Sequence, residues 1–255
     1  MSNRLRIERL GDIAVFTISH VQRANALDDE LLLALREALF ETAAQGARAA
    51  VLTGAGGVFC AGYDLHALPK EPDLEWLRGH GELEATLKAL RHGPLPVVAA
   101  LSGPAIGAGF ELALNCDVRV AHKDVILQMP PVKLGIVYTL SGIWRLMLLC
   151  GAGRARELLL LAEPIGAQKA FDMGLLSTIT APTELLDTAM AQARKIAAQP
   201  QAAIHGTRQL IEHLLQMGPD TTEQEMQHLL SIRQHAWLSP EAHTAREKLK
   251  NKPRS

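Results

Sequence analysis

Glu111 is the one acid in the apolar run Phe110-Glu111-Leu112-Ala113-Leu114, directly after Gly107-Ala108-Gly109. A carboxyl group among apolar neighbours resists ionisation, which makes it a candidate general acid or base near neutral pH. The glycines stand where the apolar run from Pro96 to Leu101 gives way to a helical pattern. Glycine at such a junction lets backbone approach a ligand closely, and the free N–H groups of the first helical turn face negative charge. Together these features describe an oxyanion site with an acid beside it. The plainer reading of Glu111 is a helix-terminal carboxylate favoured by the dipole and paired with an arginine. Spacing alone leaves both open. Tyr63 and Tyr138, the only tyrosines, read by type as half-buried aromatics, and Lys248 and Lys250 as a solvated helical face.

Other chemistries fit poorly. Gly54-Ala55-Gly56 meets Phe59 where a dinucleotide fingerprint needs its third glycine, and Gly103 to Gly109 has the wrong spacing as well. No Walker lysine-hydroxyl pair follows either loop. The ten histidines show no metal-ligand spacing, and Ser102 lacks the glycines of a nucleophile elbow. A net charge of -1 provides no global attraction to nucleic acid or anionic membrane. Charged residues near the start and the lack of a long apolar run argue against a signal peptide or membrane span. Cys60, Cys116 and Cys150 sit in apolar surroundings, as buried free thiols of a reducing cytoplasm would.

The elements that must position these residues can be read in order. Arg4 to Leu10 and Ile13 to Ser19, separated by Gly11-Asp12, predict a hairpin. Asp28 is placed to cap a helix with its apolar face at Leu31, Leu35, Ala38, Leu39 and Thr42. Ala49 to Thr53 reads as a buried strand leading into the glycine-rich loop 54–65. Helical spacing covers Leu74 to Leu90, and Pro94 and Pro96 precede the central strand. Val118 to Ala121 and Val125 to Gln128 read as strands, and Val132 to Thr139 as irregular. Helical patterns follow from Ser141 to Leu149, Ala155 to Leu161 and Ala167 to Met173. After a strand over Leu176 to Thr180, they resume at Thr183–Ala198, Ala202–Met217, Thr221–Trp237 and Pro240–Lys250. Mixed α/β precedes nearly pure helix. The expected division is a core of ββα units over residues 1–195 and a helical lid or assembly region over 196–255.

The two glycine loops, in this order, resemble the enoyl-CoA hydratase/isomerase (crotonase) superfamily. The resemblance is carried by Asn25-Ala26-Leu27, by Leu52-Thr53-Gly54 with Phe59-Cys60-Ala61-Gly62-Tyr63-Asp64-Leu65, and by Gly107 to Glu111 with Cys116-Asp117. Ala167-Gln168-Lys169-Ala170 and Met173-Gly174-Leu175-Leu176 extend it across nearly the whole chain. It implies a spiral of ββα turns with a C-terminal helical trimerisation region, assembled as a trimer or dimer of trimers. It implies an acyl-CoA thioester as substrate, with no cofactor beyond the coenzyme A that the substrate carries and no metal. By position, the backbone N–H groups of Tyr63 and Ala108 would form the oxyanion hole and Glu111 would serve catalysis. Ala61 and Leu65 would contact the adenine and pantetheine arm, and Arg23 and a neighbouring subunit's Lys248 would reach CoA phosphates. Ala24, Asp64, Gly107, Pro131 and Gly135 complete the implied substrate-binding set.

One departure bears on the reaction. Hydratases of this family use a second glutamate where this chain has Pro131, and adding water needs both a base and an acid. The sequence is also similar to the methylmalonyl-CoA decarboxylase type of the superfamily. Ala61 to Pro69, Met129 to Tyr138 and Gly142-Ile143 carry that likeness. There the tyrosine matching Tyr138 lies beside the departing carboxylate, which makes Tyr138 the second expected catalytic residue. Losing carbon dioxide generates an enolate without proton abstraction, so a missing acid is tolerated. Pro130 replaces that type's hydroxyl residue, however, and Tyr63 its histidine. The expected activity is decarboxylation of a malonyl-type acyl-CoA. The alternatives are an isomerase or hydratase with Glu111 as its sole carboxylate, and a non-catalytic acyl-CoA binder.

Overall fold

The computed structural model describes residues 4–74, 76, 81–216 and, singly or in pairs, 227, 234, 238, 243–244, 247–248 and 250–251. The helices expected over 221–237 and 240–250 lie outside the described residues apart from those positions.

The hairpin forms as expected. Strands β1 (Leu5–Leu10) and β2 (Ile13–Ile18) pair antiparallel around Gly11, whose φ is +65°. From β2 the sheet continues in parallel through β3 (Ala49–Gly54), β4 (Val97–Leu101), β6 (Val118–His122) and β9 (Thr178–Thr180). Parallel strands need covering on both faces, and their near-continuous apolar sequences reflect this. On one face Phe16, Ile18, Leu52, Ala99 and Leu101 meet α1 (Asp29–Ala44) and the interior behind the site. On the other, Val15, Val51, Val98 and Val120 pack against Leu185, Ala189, Met190 and Ala193 of α6 (Leu185–Ala197). The alternation along each strand sorts its residues between these two cores.

Local capping agrees with the sequence. The Asp28 side chain accepts from the Leu31 N–H at 3.0 Å and starts α1. The helix α2 (Glu82–His92) carries Glu82 and Glu84 at its start and Arg91 and His92 at its end, the charge order that its dipole favours. It packs along α1. Two further helices matter for the site: the short α3 (Ala108–Leu114), every residue of which is buried, and the longer α4 (Leu140–Arg156).

Some expectations change. The strand β7 (Ile126–Gln128) does not join the main sheet. It lies between the two-residue strands β5 (Ala105–Ile106) and β8 (Ile165–Gly166) in a second, three-stranded sheet. The two helical patterns from Ser141 and Ala155 run as one element with a backbone break at Gly151 (φ 78°, ψ 156°). It continues as a π-helix over Glu157–Leu161. Cys60 and Cys116 are buried thiols, whereas Cys150, near that break, is only half-buried. Helix α5 (Ala167–Asp172) and helix α7 (Gln201–Gln216) complete the described elements.

Candidate active site

The two glycine loops meet in space. Cys60 and Ala105 form a parallel bridge in which Cys60 N–H donates to the Pro104 carbonyl and Ile106 N–H to the Cys60 carbonyl, at 3.1 and 2.9 Å. The chain then turns at Gly62 (φ +98°) and Gly107 (φ +52°), conformations that side chains disfavour. A Cβ on Gly62 would lie 2.7 Å from the Ile106 carbonyl and 3.6 Å from the Ala108 nitrogen, so the loops are pressed together there. The Leu27–Tyr63 bridge uses the Gly62 carbonyl and the Asp64 N–H, which leaves the Tyr63 N–H out of the ladder. Ala108 is the first residue of α3, so its N–H precedes that helix's own hydrogen bonds. Buried Asn25 fixes the approach: its amide donates to the Ala55 and Val58 carbonyls at 2.9 and 2.7 Å and its oxygen accepts from His20 N–H.

Beside these loops lies a largely apolar cleft of about 160 Å³. Of the residues expected at the site, Ala61, Tyr63, Leu65, Gly107, Ala108, Glu111, Pro131 and Tyr138 line it together. Arg23, Ala24, Asp64, Gly135 and Lys248 do not. Arg23 pairs with Asp64 at the edge of the first loop, and Ala24 caps the short turn before Asn25. Gly135 ends the 3-10 turn that begins at Pro131, and Lys248 is exposed.

Glu111 is the sole carboxylate among the described cleft-lining residues, and it is 2% exposed. Its Oε2 accepts from the Tyr138 hydroxyl at 2.7 Å and its Oε1 from the Thr139 hydroxyl at 3.2 Å. Burial raises its carboxyl from the usual 4.5 to about 7, aided by the charge of Glu84 and opposed by both hydroxyl donors and by Arg91. Desolvation wins. Tyr138 is pushed well above the ordinary phenol range by burial and by the facing carboxylate, so it stays a donor. The same hydroxyl is 3.3 Å from the Gly107 carbonyl, which also accepts from Glu111 N–H. The Tyr63 phenol takes no part in this cluster: it points to Asp29 at 2.6 Å, over the start of α1.

The sequence assigned no role to Thr139, and to Gly142 only a place in the decarboxylase-type motif. Thr139 caps α4, accepting from Gly142 N–H at 3.0 Å while donating to Glu111. A threonine just before a helical pattern is a visible capping signal. Its second partner, from a distant helix, is not visible. A Cβ on Gly142 would stand 2.4 Å from Tyr138 Cε1 and 2.5 Å from Glu111 Oε1, so only glycine lets α4 approach the acid this closely.

Two glycine loops in parallel register thus meet beside one carboxyl raised to about 7, all of them lining one cleft. The comparisons identify the lineage. The enoyl-CoA hydratase/isomerase family model matches residues 8–252, and the chain belongs to that family, whose members act on acyl-CoA thioesters. It is 33% identical to the short-chain-enoyl-CoA hydratase of Clostridium acetobutylicum over 86% of this chain and 85% of that one. It is 38% identical to a Mycobacterium tuberculosis protein named probable enoyl-CoA hydratase, over 78% and 79% of the two chains. Among solved structures, a methylmalonyl-CoA decarboxylase superposes with a TM-score of 0.90 at 25% identity, over 100% of this chain and 99% of that one.

Proposed function

We propose that this enzyme decarboxylates a malonyl-type acyl-CoA, stabilising the resulting thioester enolate between the backbone N–H groups of Tyr63 and Ala108. The observation that carries this is the single carboxylate: Glu111 is in the cleft, and Pro130 and Pro131 line it with no ionisable group of their own. Two preorganised donors at a developing oxyanion are worth about 3–4 kcal/mol each. With the thioester oxygen held there, the bond from Cα to the carboxylate breaks, its electron pair moves into the enolate, and carbon dioxide leaves. Neutral Glu111 then gives its proton to Cα, and Tyr138 and Thr139 stabilise the carboxylate left behind. A carboxyl that is half protonated near pH 7 suits this role, since an ionised one would repel the substrate's own charge.

Ala61 and Leu65 would contact the pantetheine arm and adenine. The Arg23 guanidinium is 40% exposed even while paired with Asp64, which leaves donors for a CoA phosphate; a partner's Lys248 would supply another. Residues 196–255 take the assembly role, with trimers or hexamers the species expected by light scattering.

The names of the sequence relatives favour a second reading, an isomerase or hydratase in which ionised Glu111 is the base. Mass-resolved turnover separates the two, comparing methylmalonyl- and ethylmalonyl-CoA with crotonyl- and 3-enoyl-CoA. Carbon dioxide from the first pair supports decarboxylation. Water addition or double-bond migration overturns it, and binding without turnover on either pair points to a non-catalytic acyl-CoA binder. The pH profile adds an independent sign. If Glu111 donates, kcat/KM is level below about pH 7 and falls above it; if Glu111 abstracts, the limb reverses.

A further inference from the structure

Decarboxylation consumes one proton per turnover, and Glu111, 2% exposed, lines the cleft that substrate and product occupy during the cycle. Tyr138 offers no way out, since its other neighbour is the Gly107 carbonyl, which cannot pass a proton on. Thr139 does. From Glu111 Oε1 the hydrogen bonds run 3.2 Å to the Thr139 hydroxyl, 3.4 Å to the Ser141 hydroxyl and 2.8 Å to Oε2 of Glu84 on α2. The Glu84 side chain is 31% exposed, and its other oxygen is held by Arg91 at 3.0 Å. Arg91 is in turn fixed by Asn115 at 2.5 Å and faces Glu212 at 4.0 Å; Arg145 also binds Glu212.

We propose that Glu84 collects protons from solvent and passes them through Ser141 and Thr139 to Glu111. The proposal rests on Glu111 being the acid of the reaction. With both carboxylates ionised, Ser141 donates to Glu84 and Thr139 to Glu111, and the Ser141–Thr139 contact holds no proton. When Glu84 is protonated, its O–H bond breaks towards Ser141 Oγ. The Ser141 proton passes to Thr139 Oγ1, and the Thr139 proton to Glu111 Oε1. Each hydroxyl gains one proton and loses one, so the net change is one proton moved from Glu84 to Glu111. Glu84 and Ser141 touch neither the cleft nor Glu111, so they act as positioning residues for the proton supply.

The test uses Glu84→Gln, which keeps the shape but cannot relay, and Ser141→Ala, which cuts the chain midway. Glu84→Asp is the conservative rescue. A pH jump followed by infrared absorption of the Glu111 carboxyl, assigned with Glu111→Gln, reads the protonation rate without any turnover. A positioned proton donor contributes large factors in rate, so at least about tenfold slowing is expected in both broken variants, with recovery in Glu84→Asp. In turnover of methylmalonyl-CoA both should lose kcat by a similar factor while kcat/KM and the first turnover persist, giving a burst. Unchanged protonation rates overturn the relay. An equal loss in the first turnover also overturns it, because the contacts would then be structural. Absence of carbon dioxide from the wild type ends the decarboxylase reading instead, and the pH jump still decides the relay.

Discussion

Replacing Glu111 with glutamine should make the protein more stable at neutral and alkaline pH while ending its chemistry. Glutamine keeps the shape and still accepts from Tyr138, but it carries no charge to desolvate. The magnitude follows from the carboxyl's displacement from 4.5 to about 7. A raised folded-state value means that the folded protein binds the proton more tightly than the unfolded chain does. The associated stability is complete below about pH 4.5 and is lost as pH rises towards 7, a change of roughly 3 kcal/mol. The variant lacks that loss. Its advantage over the wild type should therefore be larger by roughly 3 kcal/mol at pH 8 than near pH 4.5. For a chain of this size that is roughly 6–12 °C in Tm. Urea and thermal unfolding of both proteins at several pH values, at equal protein concentration, read this difference directly. Comparing the variant's advantage between pH values removes any constant effect of the substitution. An advantage that does not change with pH, or that shrinks as pH rises, would refute the claim that burial controls Glu111.

Other perturbations probe the same cluster. Tyr138→Phe removes a donor that favours the ionised carboxyl, so the Glu111-dependent limb of kcat/KM should move to higher pH. Gly142→Ala drives a methyl group into Tyr138 and Glu111, with an expected cost of about 1–3 kcal/mol in urea unfolding and a larger loss of kcat. Asn25→Ala strips the Ala55 and Val58 carbonyls of a buried donor, and should lower stability by about 1–3 kcal/mol and raise KM by loosening the first loop.

Much of this architecture can be read from local pattern. Gly11-Asp12 marks the hairpin, Asp28 the start of α1, and the continuous apolar runs of β3 and β4 the centre of the sheet. The strands β5 and β8 escape because two residues carry no period to detect; register with β7 creates them. The helical patterns ending at Leu149 and resuming at Ala155 leave a gap in the sequence, yet the chain passes Gly151 (φ 78°) as one element. At the site, Glu111 and Tyr138 stand out by type in their surroundings. Their union does not: it depends on α4 crossing α3 closely enough for the Tyr138 hydroxyl to reach 2.7 Å, which Gly142 permits. Glu84 is invisible for the same reason, since nothing near it in sequence says that α2 faces the start of α4.

The placement of one acid explains why Pro130 and Pro131 suit this cleft. A second carboxylate opposite Glu111 would raise the cost of ionising either one, and would also repel a substrate bearing its own carboxylate. Proline removes that charge, and its fixed φ helps to shape the turn over Pro131–Leu134 that closes the wall. Among the described residues the cleft then has one titrating carboxyl, tuned by burial and by two hydroxyl donors. A reaction that leaves a proton deficit on that carboxyl needs a return path that does not reopen the cleft. In the proposed relay the capping threonine of α4 supplies the last step, since the hydroxyl that starts the helix is also a donor to Glu111. If decarboxylation were replaced by double-bond migration, Glu111 would recover its proton from the substrate in every cycle. Cutting the path at Ser141 would then leave kcat unchanged while still slowing the infrared pH jump. Those two measurements on Ser141→Ala therefore separate the chemistry of the site from its proton supply.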